Sequence, residues 1–303
     1  MNMPRVSIII PHLNQPDFLL RCLQSITAQT YDQSLVDVIV VDNGSSQLPI
    51  EICNQFPNLK LLGEATPGPG PARNKGIETA QTEVLAFIDA DCIADPNWLI
   101  ALTTALQNPT TDIVGGDVRI AYVDSKNLTA LEAYESVFAY RQKEYIEKKS
   151  FSGTGNLATT MKVMREVGSF RGIEVAEDRD WGTRAKMGGK KINYVPDMIV
   201  SHPARKTFDE LTRKWDRHTS HDYEETSQSL TGKFKWFLRS TMVAASSIID
   251  SHKIFGSNRL GDNQSRLKAC TILFRIRFHR ASHMIALLFG GRLNSTSEKW
   301  NRN

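Results

Sequence analysis

Two carboxylates one residue apart, Asp89 and Asp91, close the apolar run Val84-Leu-Ala-Phe-Ile88. In an extended strand, residues i and i+2 share a face, so both acids are expected to emerge together where a buried strand leaves its sheet. Open α/β sheets bind ligands at that end. Two hard oxygen ligands there suit Mg2+ or Mn2+ carrying a diphosphate; in a solvated loop the same triplet would be an ordinary turn. A second acidic group, Glu174-Val-Ala-Glu177-Asp178-Arg179-Asp180, puts four acids into seven residues at a helix start. The helix dipole favours acids in a first turn, but capping alone needs fewer. A carboxylate fixed there is a well-oriented general base. Pro67-Gly-Pro-Gly-Pro-Ala-Arg73-Asn74-Lys75-Gly76 reads as a glycine-exposed loop ahead of a helix, an anion site to which Arg73 and Lys75 add charge, or as a proline-stiffened loop with surface cations. The phosphate-loop spacing G-x-x-x-x-G-K-[ST] is missing, and no G-x-G-x-x-G follows the first strand, which argues against a dinucleotide fold. His202 leaves a short apolar strand just before Pro203-Ala-Arg205. A lone histidine more often serves structure than ligation, and this position narrows the difference.

The elements that must position these groups alternate. Val6–Ile10 is a β-branched strand stopped by Pro11, and a helix from Pro16 carries Phe18, Leu19, Cys22, Leu23 and Ile26 on one stripe. Val36–Val41 is a second strand, ending in Asp42-Asn-Gly44-Ser-Ser. Asp42 either contacts a ribose or base, as the acid at a Rossmann strand end does, or simply forms the turn. Leu59–Leu62 is a third strand, and a helix follows the basic loop to about Thr82. After the Asp89–Asp91 strand, Asp95-Pro96 should cap and open a helix reaching Gln107. Residues 112–122 look β-like but interrupted at Gly115-Gly116, and residues 128–149 look helical. In the loop from Phe151 to Asn156, Gly153 and Gly155 either let the backbone pass close to a ligand or make a plain tight turn. Strands at 157–160, 190–195 and 198–202 follow, with the acidic helix running to about Met187 between the first two. Strands alternating with helices over the first ~120 residues imply a mostly parallel, doubly wound sheet.

With 303 residues, the chain can bury a substantial core in one large or two small domains. Its charge is uneven: residues 201–303 hold 18 Lys and Arg against 9 Asp and Glu, while residues 1–200 hold 19 against 24. A basic C-terminal surface facing an anionic partner, such as phospholipid, is the expectation. Thr231 onward mixes Phe234, Trp236, Phe237 and Met242 with Lys233, Lys235 and Arg239. Residues 267–289 repeat the mixture around Arg275, Arg277, Arg280 and His283. Such basic amphipathic helices lie on an anionic bilayer surface, or else pack on the body or on a second copy in a homo-oligomer. Cys22, Cys53, Cys92 and Cys270 are scattered, which suggests buried free thiols rather than zinc or disulfides. No signal peptide opens the sequence and no stretch reaches the ~18 apolar residues of a membrane span. A cytoplasmic protein, peripheral at most on the inner face of the cytoplasmic membrane, is expected, with no nucleic-acid partner because no binding motif is present.

Taken in order, VSIIIPHLN, VIVVDNGS, GPARNKGI, FIDADC, SGTGNLA and AEDRDWGTRAKMGG resemble family 2 glycosyltransferases, inverting enzymes with the GT-A fold, over roughly residues 4–205. The resemblance implies a Rossmann-like α/β catalytic domain at 1–205 and a basic, mostly helical extension at 206–303. It places Pro11, Asn14 and Asp42 around the nucleotide base or ribose. Arg73, Lys75, Asp89, Ala90, Gly153 and Asn156 join that nucleotide-sugar set. Asp91 becomes the ligand of Mg2+ or Mn2+, and His202 a further metal or diphosphate contact. Asp178 is the implied catalytic base, with Glu177 beside it. The implied reaction moves one sugar from a nucleotide-diphosphate sugar, UDP-linked by preference, to a lipid-linked or oligosaccharide acceptor in surface-polysaccharide assembly. A Q-x-x-R-W pentapeptide is missing, which disfavours a processive synthase. The alternatives are a nucleotidyltransferase, whose glycine- and lysine-rich first loop is not present at Ser7–Asn14, and a non-catalytic sugar-nucleotide-binding module of the same fold.

Overall fold

A computed structural model describes residues 3–291. In chain order the elements are β1 (Val6–His12), α1 (Pro16–Thr27), β2 (Val36–Asp42), α2 (Ile50–Cys53), β3 (Leu59–Gly63), α3 (Pro69–Thr79), β4 (Val84–Ile88), β5 (Ile93–Ala94) and α4 (Trp98–Leu106). There follow β6 (Ile113–Ala121), α5 (Ala130–Phe138), α6 (Gln142–Lys149), β7 (Asn156–Thr160), α7 (Met161–Val167), α8 (Glu177–Met187) and β8 (Ile192–Pro203). Three long helices close the described chain: α9 (Phe208–Glu224), α10 (Leu230–Phe255) and α11 (Asn263–Leu288). These elements form two compact units, one of residues 3–119 with 141–202, the other of residues 120–140 with 203–291.

The first unit holds an eight-stranded sheet of order β3-β2-β1-β4-β7-β6-β8-β5. The strands β3, β2, β1 and β4 run parallel, with Val6 opposite both Val36 and Val84. β7 then pairs antiparallel with β4 and with β6, and β5 antiparallel with β8, so the parallel first half gives way to antiparallel pairs. Every residue of β4 is buried, as a strand covered on both faces requires. On one face Leu85 and Phe87 pack with Ile9, Leu157, Phe170 and Trp181. The Phe87 and Phe170 rings meet edge to face at 5.6 Å, and Phe170 and Trp181 lie tilted against each other at 5.3 Å. Trp181 is fully buried, so this aromatic chain fixes α8, and with it the acids of its first turn, against β4.

Three local expectations shift. α3 already begins at Pro69, so most of the stretch expected as a loop is helix. β6 runs unbroken through Gly115-Gly116: a Cβ on Gly116 would lie 1.9 Å from the Met198 carbonyl oxygen, so glycine here admits a neighbouring backbone rather than breaking the strand. The strands expected at 190–195 and 198–202 are the single β8, which Pro196 does not divide.

The second unit is helical. Leu131 and Tyr134 of α5 pack with Leu211 of α9, Ile254 of α10, and Leu273 and Ile276 of α11. This is why residues 120–140 group with the C-terminal helices and not with the sheet, so the helical unit is larger than a single cut at residue 205 gives. The helix expected at 128–149 accordingly breaks into α5 and α6 between the two units. Side chains of Thr207, Ser229 and Asp262 cap α9, α10 and α11, each satisfying an otherwise orphaned amide. α10 turns Trp236, Ser240, Ser247 and Ile254 inward while Leu230, Phe234, Met242, Ile248 and Ile249 stand in solvent. No helix of the described residues is long and apolar enough to cross a membrane.

Candidate active site

β4 ends at Ile88, and the chain turns at once: the amide of Cys92 donates to the Asp89 carbonyl at 3.0 Å. The triplet is therefore a turn, not a continuing strand, and its two carboxylates part company. Asp89 accepts from Arg73 Nη2 at 2.7 Å, whereas Asp91 lies 3.1 Å from His202 Nε2. The expectation that both acids share a strand face is corrected here, because strand alternation stops one residue too early. Ala90, between them, is buried and offers no polar side chain.

Arg73 organises one half of the site. Its side chain is only 3% exposed, and it binds Asp89 with one terminal nitrogen and Glu177 with the other, at 3.2 Å. Burial opposes its charge, but Asp89 and Glu177 outweigh that and raise its pKa. Its Nε is buried without a partner. As placed, Arg73 is a bridge between the β4 turn and the start of α8, with two of its nitrogens already spent. Lys75, two positions on, falls on another side of the helix, half-exposed and 3.8 Å from Glu78. The two cations expected to act together are thus separated by the helical turn.

Asp178 differs from its neighbour Glu177. It forms no ion pair among the described residues, and its Oδ1 accepts only from the Arg179 amide, at 2.7 Å. Burial, and then the charge of Glu177, raise its pKa to about 6. This is the signature of a carboxylate poised to take up a proton near neutral pH. Asn74 holds the approach to α8, donating to the Phe170 carbonyl at 2.8 Å and accepting from the Phe170 amide at 2.9 Å.

At the neighbouring ends of β1 and β2, His12 and Asp42 are both buried and lie 2.9 Å apart. His12 Nε2 accepts from the Gln15 amide, so Nδ1 carries the proton that Asp42 receives. Asp42 also takes the amides of Gly44 and Ser45 at 3.0 and 2.9 Å. Burial opposes its charge, yet these bonds from Ser45, His12 and Gly44 hold its carboxyl below the usual range. Asn14, in the left-handed region with φ 51°, accepts from the Ser46 amide at 2.9 Å. Pro11 is half-buried in β1 beside them. Asn43 reaches further, donating to the carbonyls of Glu64 and Thr66 and accepting from the Gly68 amide at 2.7 Å. His12 and Asn43 thus fix the turn and the approach to α3, roles that the sequence reading did not give them. The apolar run before His12 and the turn chemistry around Asn43 were the available signals.

Two expected ligand contacts serve the scaffold. Asn156 is fully buried; its Oδ1 accepts from Trp98 Nε1 at 2.8 Å and its Nδ2 donates to the carbonyls of Asp117 and Met198. Both amide protons are committed to the scaffold, so Asn156 holds β6 and β8 in place around the site. Gly153 is tied to Gln142 through its amide at 3.1 Å. Gly155 makes the close approach in that loop: a Cβ there would lie 2.5 Å from Asp89 Oδ2.

Asp91 and His202, the two residues expected to meet a divalent cation, lie side by side. Burial opposes the charge on Asp91, but the His202 hydrogen bond and charge outweigh it and hold the carboxyl below its usual range. One carboxylate oxygen beside one imidazole nitrogen fits Mn2+ and, less well, Mg2+. No group of three His, Cys, Asp or Glu side chains able to hold a metal occurs among the described residues.

A parallel β-α start, acids just after β4 and acids opening α8 place carboxylates at one end of an α/β sheet, the end where such sheets bind ligands. The comparisons agree: the pattern of Glycosyl transferase family 2 matches residues 7–174. The glycosyltransferase AglE of Haloferax volcanii is 37% identical over 218 residues, spanning 70% of this chain and 71% of that one. Among solved structures, the mannosyltransferase PcManGT from Pyrobaculum calidifontis, solved with GDP-Man and Mn2+, superposes with a TM-score of 0.57 at 17% identity over 94% of this chain and 86% of that one. S. aureus TarS 1–349 in complex with UDP-GlcNAc gives 0.53 at 14% identity over 95% and 92%. The fold is that of the GT-A glycosyltransferases. The chain belongs to glycosyltransferase family 2.

Proposed function

We propose that this glycosyltransferase moves one sugar, with inversion, from a nucleotide-diphosphate donor to a hydroxyl of a lipid-linked or oligosaccharide acceptor, with Asp178 as the base. The observation that carries this reading is the contrast at the start of α8: Glu177 is neutralised by Arg73, while Asp178 stands unpaired with its pKa raised to about 6. In the reaction the acceptor hydroxyl oxygen attacks the anomeric carbon as its proton passes to Asp178, and the bond to the diphosphate oxygen breaks with its electron pair leaving on the diphosphate. A single displacement needs no carboxylate nucleophile, so one base suffices. Glu177 is a positioning residue, acting through Arg73 to hold the β4 turn and α8 together. Asp91 and His202 would hold Mg2+ or Mn2+, and a bound ion would offset charge developing on the departing diphosphate. The PcManGT structure, solved with Mn2+, supports a divalent ion. A nucleotide donor is supported by GDP-Man and UDP-GlcNAc in the two neighbouring structures; we favour a UDP-sugar.

A surface-polysaccharide role with a lipid-linked acceptor draws support from α10. Its outward stripe includes Leu230, Phe234 and Met242, the last 70% exposed, with Lys233 and Lys235 alongside. An apolar stripe flanked by cations suits the headgroup region of an anionic bilayer. The test of the catalytic reading is nucleoside diphosphate release from a panel of nucleotide sugars with Mn2+ and candidate acceptors. Asp178→Asn should lower kcat by ~10²–10⁴-fold, the usual worth of a general base, with donor binding retained. An Asp178→Asn enzyme as fast as wild type would reject this assignment.

A further inference from the structure

The helical unit contains cations that its own carboxylates do not neutralise. Lys214, Arg217 and His218 lie on successive positions of one side of α9, three and four residues apart. Arg280 of α11 lies with its guanidinium carbon 3.7 Å from the centroid of the Trp215 ring, and its Nε is buried without a partner. Trp215 in turn meets the His218 ring at 6.0 Å. The acids near them are already committed. Glu135 accepts from both the backbone and the guanidinium of Arg205, and Asp216 is bound to His279 at 2.8 Å. Asp222 is bound to Arg239 at 2.7 Å, and Asp250 to Lys253 and Arg277. Lys214, Arg217, His218 and Arg280 have no carboxylate partner among the described residues. Lys214 and Arg280 are half-buried, whereas Arg217 and His218 reach solvent.

Lys214 and Arg280 are partly desolvated cations without a counter-charge, which is costly, and an anion that supplies several acceptor oxygens removes the cost. Guanidinium and ammonium donors gathered on two helices, with one guanidinium pre-oriented on an indole face, match a phosphate group. Burial first, and then neighbouring cations, disfavour charge on these groups. Burial and then Arg205 lower Lys214 to about 8. Burial, then Lys214 and Arg217, lower His218 to about 4, so it enters the group as a neutral imidazole able to donate a hydrogen bond, and burial and then Arg277 lower Arg280 to about 10.

We propose that Lys214, Arg217, His218 and Arg280 form a phosphate-binding site on the helical unit, which takes a phosphate or diphosphate group either free in solution or at the head of a lipid. This site is independent of the sugar-transfer reading, since every residue in it belongs to the helical unit.

The test uses the full chain with chelator present, so that no divalent ion assists diphosphate binding at Asp91 and His202. Inorganic pyrophosphate is titrated by calorimetry, and vesicles of phosphatidylcholine with and without phosphatidic acid are assayed by flotation. Lys214→Ala/Arg217→Ala should weaken the pyrophosphate affinity at least tenfold, or remove the phosphatidic-acid-dependent part of flotation, or both. Loss in the first arm identifies a soluble phosphate, and loss in the second a lipid headgroup. Lys214→Met is the second variant: without ligand it should melt no lower than wild type, because it removes an uncompensated charge, and it should gain less thermal stabilisation from pyrophosphate. Equal responses of wild type and variants in both arms, or no response of wild type in either, would overturn the site.

Discussion

At the scale of single residues, three carboxylates are treated differently by their surroundings. Asp89 and Glu177 share the buried Arg73, while Asp178 is left to burial and repulsion. Its pKa of about 6 sets two pH predictions. As a base it must be ionised, so kcat/KM should climb through pH 6 and level off above. For stability the sign is opposite. The folded pKa lies above the ordinary carboxylate value, so stability from this group is full below about pH 4 and is lost as pH rises through about 6. Asp178→Asn should therefore melt above wild type at pH 7.5, and thermal melts should show the difference vanish near pH 4. Arg73→Met should cost ~2–3 kcal/mol in denaturant unfolding, toward the low end for a broken buried pair because Asp89 keeps 38% exposure. Sequence exposed the acids themselves, since few structural needs place four of them around one helix start. It did not reveal the pairing, because Arg73 and Glu177 are 104 residues apart and their meeting depends on how α3 and α8 pack.

At the scale of elements, α3 does more than a basic loop could. Its Asn74 clasps the Phe170 backbone from both sides, so α3 also seats the segment that leads into α8. Asn74→Ala should lower stability by ~1–3 kcal/mol, the range for two lost bonds that leave backbone groups unpaired. It should also depress kcat more than donor KM, since Asp178, the proposed base, would be displaced while the β1 and β2 turn stays intact; steady-state kinetics would separate the two. Apolar strands and capped helices were legible because their period and caps are local. The β4 turn was not, since it rests on one hydrogen bond from Cys92 to Asp89 that leaves no mark on the pattern of apolar residues. The break between α5 and α6 was equally hidden: no proline or glycine marks residues 139–141, and the cause is that α5 packs in the helical unit.

At the scale of the whole molecule, a family 2 sheet accompanies a helical unit whose α10 exposes Leu230, Phe234, Met242, Ile248 and Ile249, with Lys233 and Lys235 alongside. Charge asymmetry in the sequence pointed to the second unit, but which side of α10 faces outward was decided by packing of Trp236 and Ile254. Replacing Phe234, Met242 and Ile249 by serine should abolish flotation with anionic vesicles while leaving the circular dichroism spectrum unchanged; undiminished flotation would dismiss the membrane-surface reading. The most direct test of the central claim is nucleoside diphosphate release by wild type and Asp178→Asn, side by side, across a donor panel with Mn2+ and acceptor. Wild type should turn over one donor, and the variant should lose ~10²–10⁴-fold of that rate with the donor still bound. Equal rates for the two proteins, or a variant that fails only because it no longer binds the donor, would contradict Asp178 as the base.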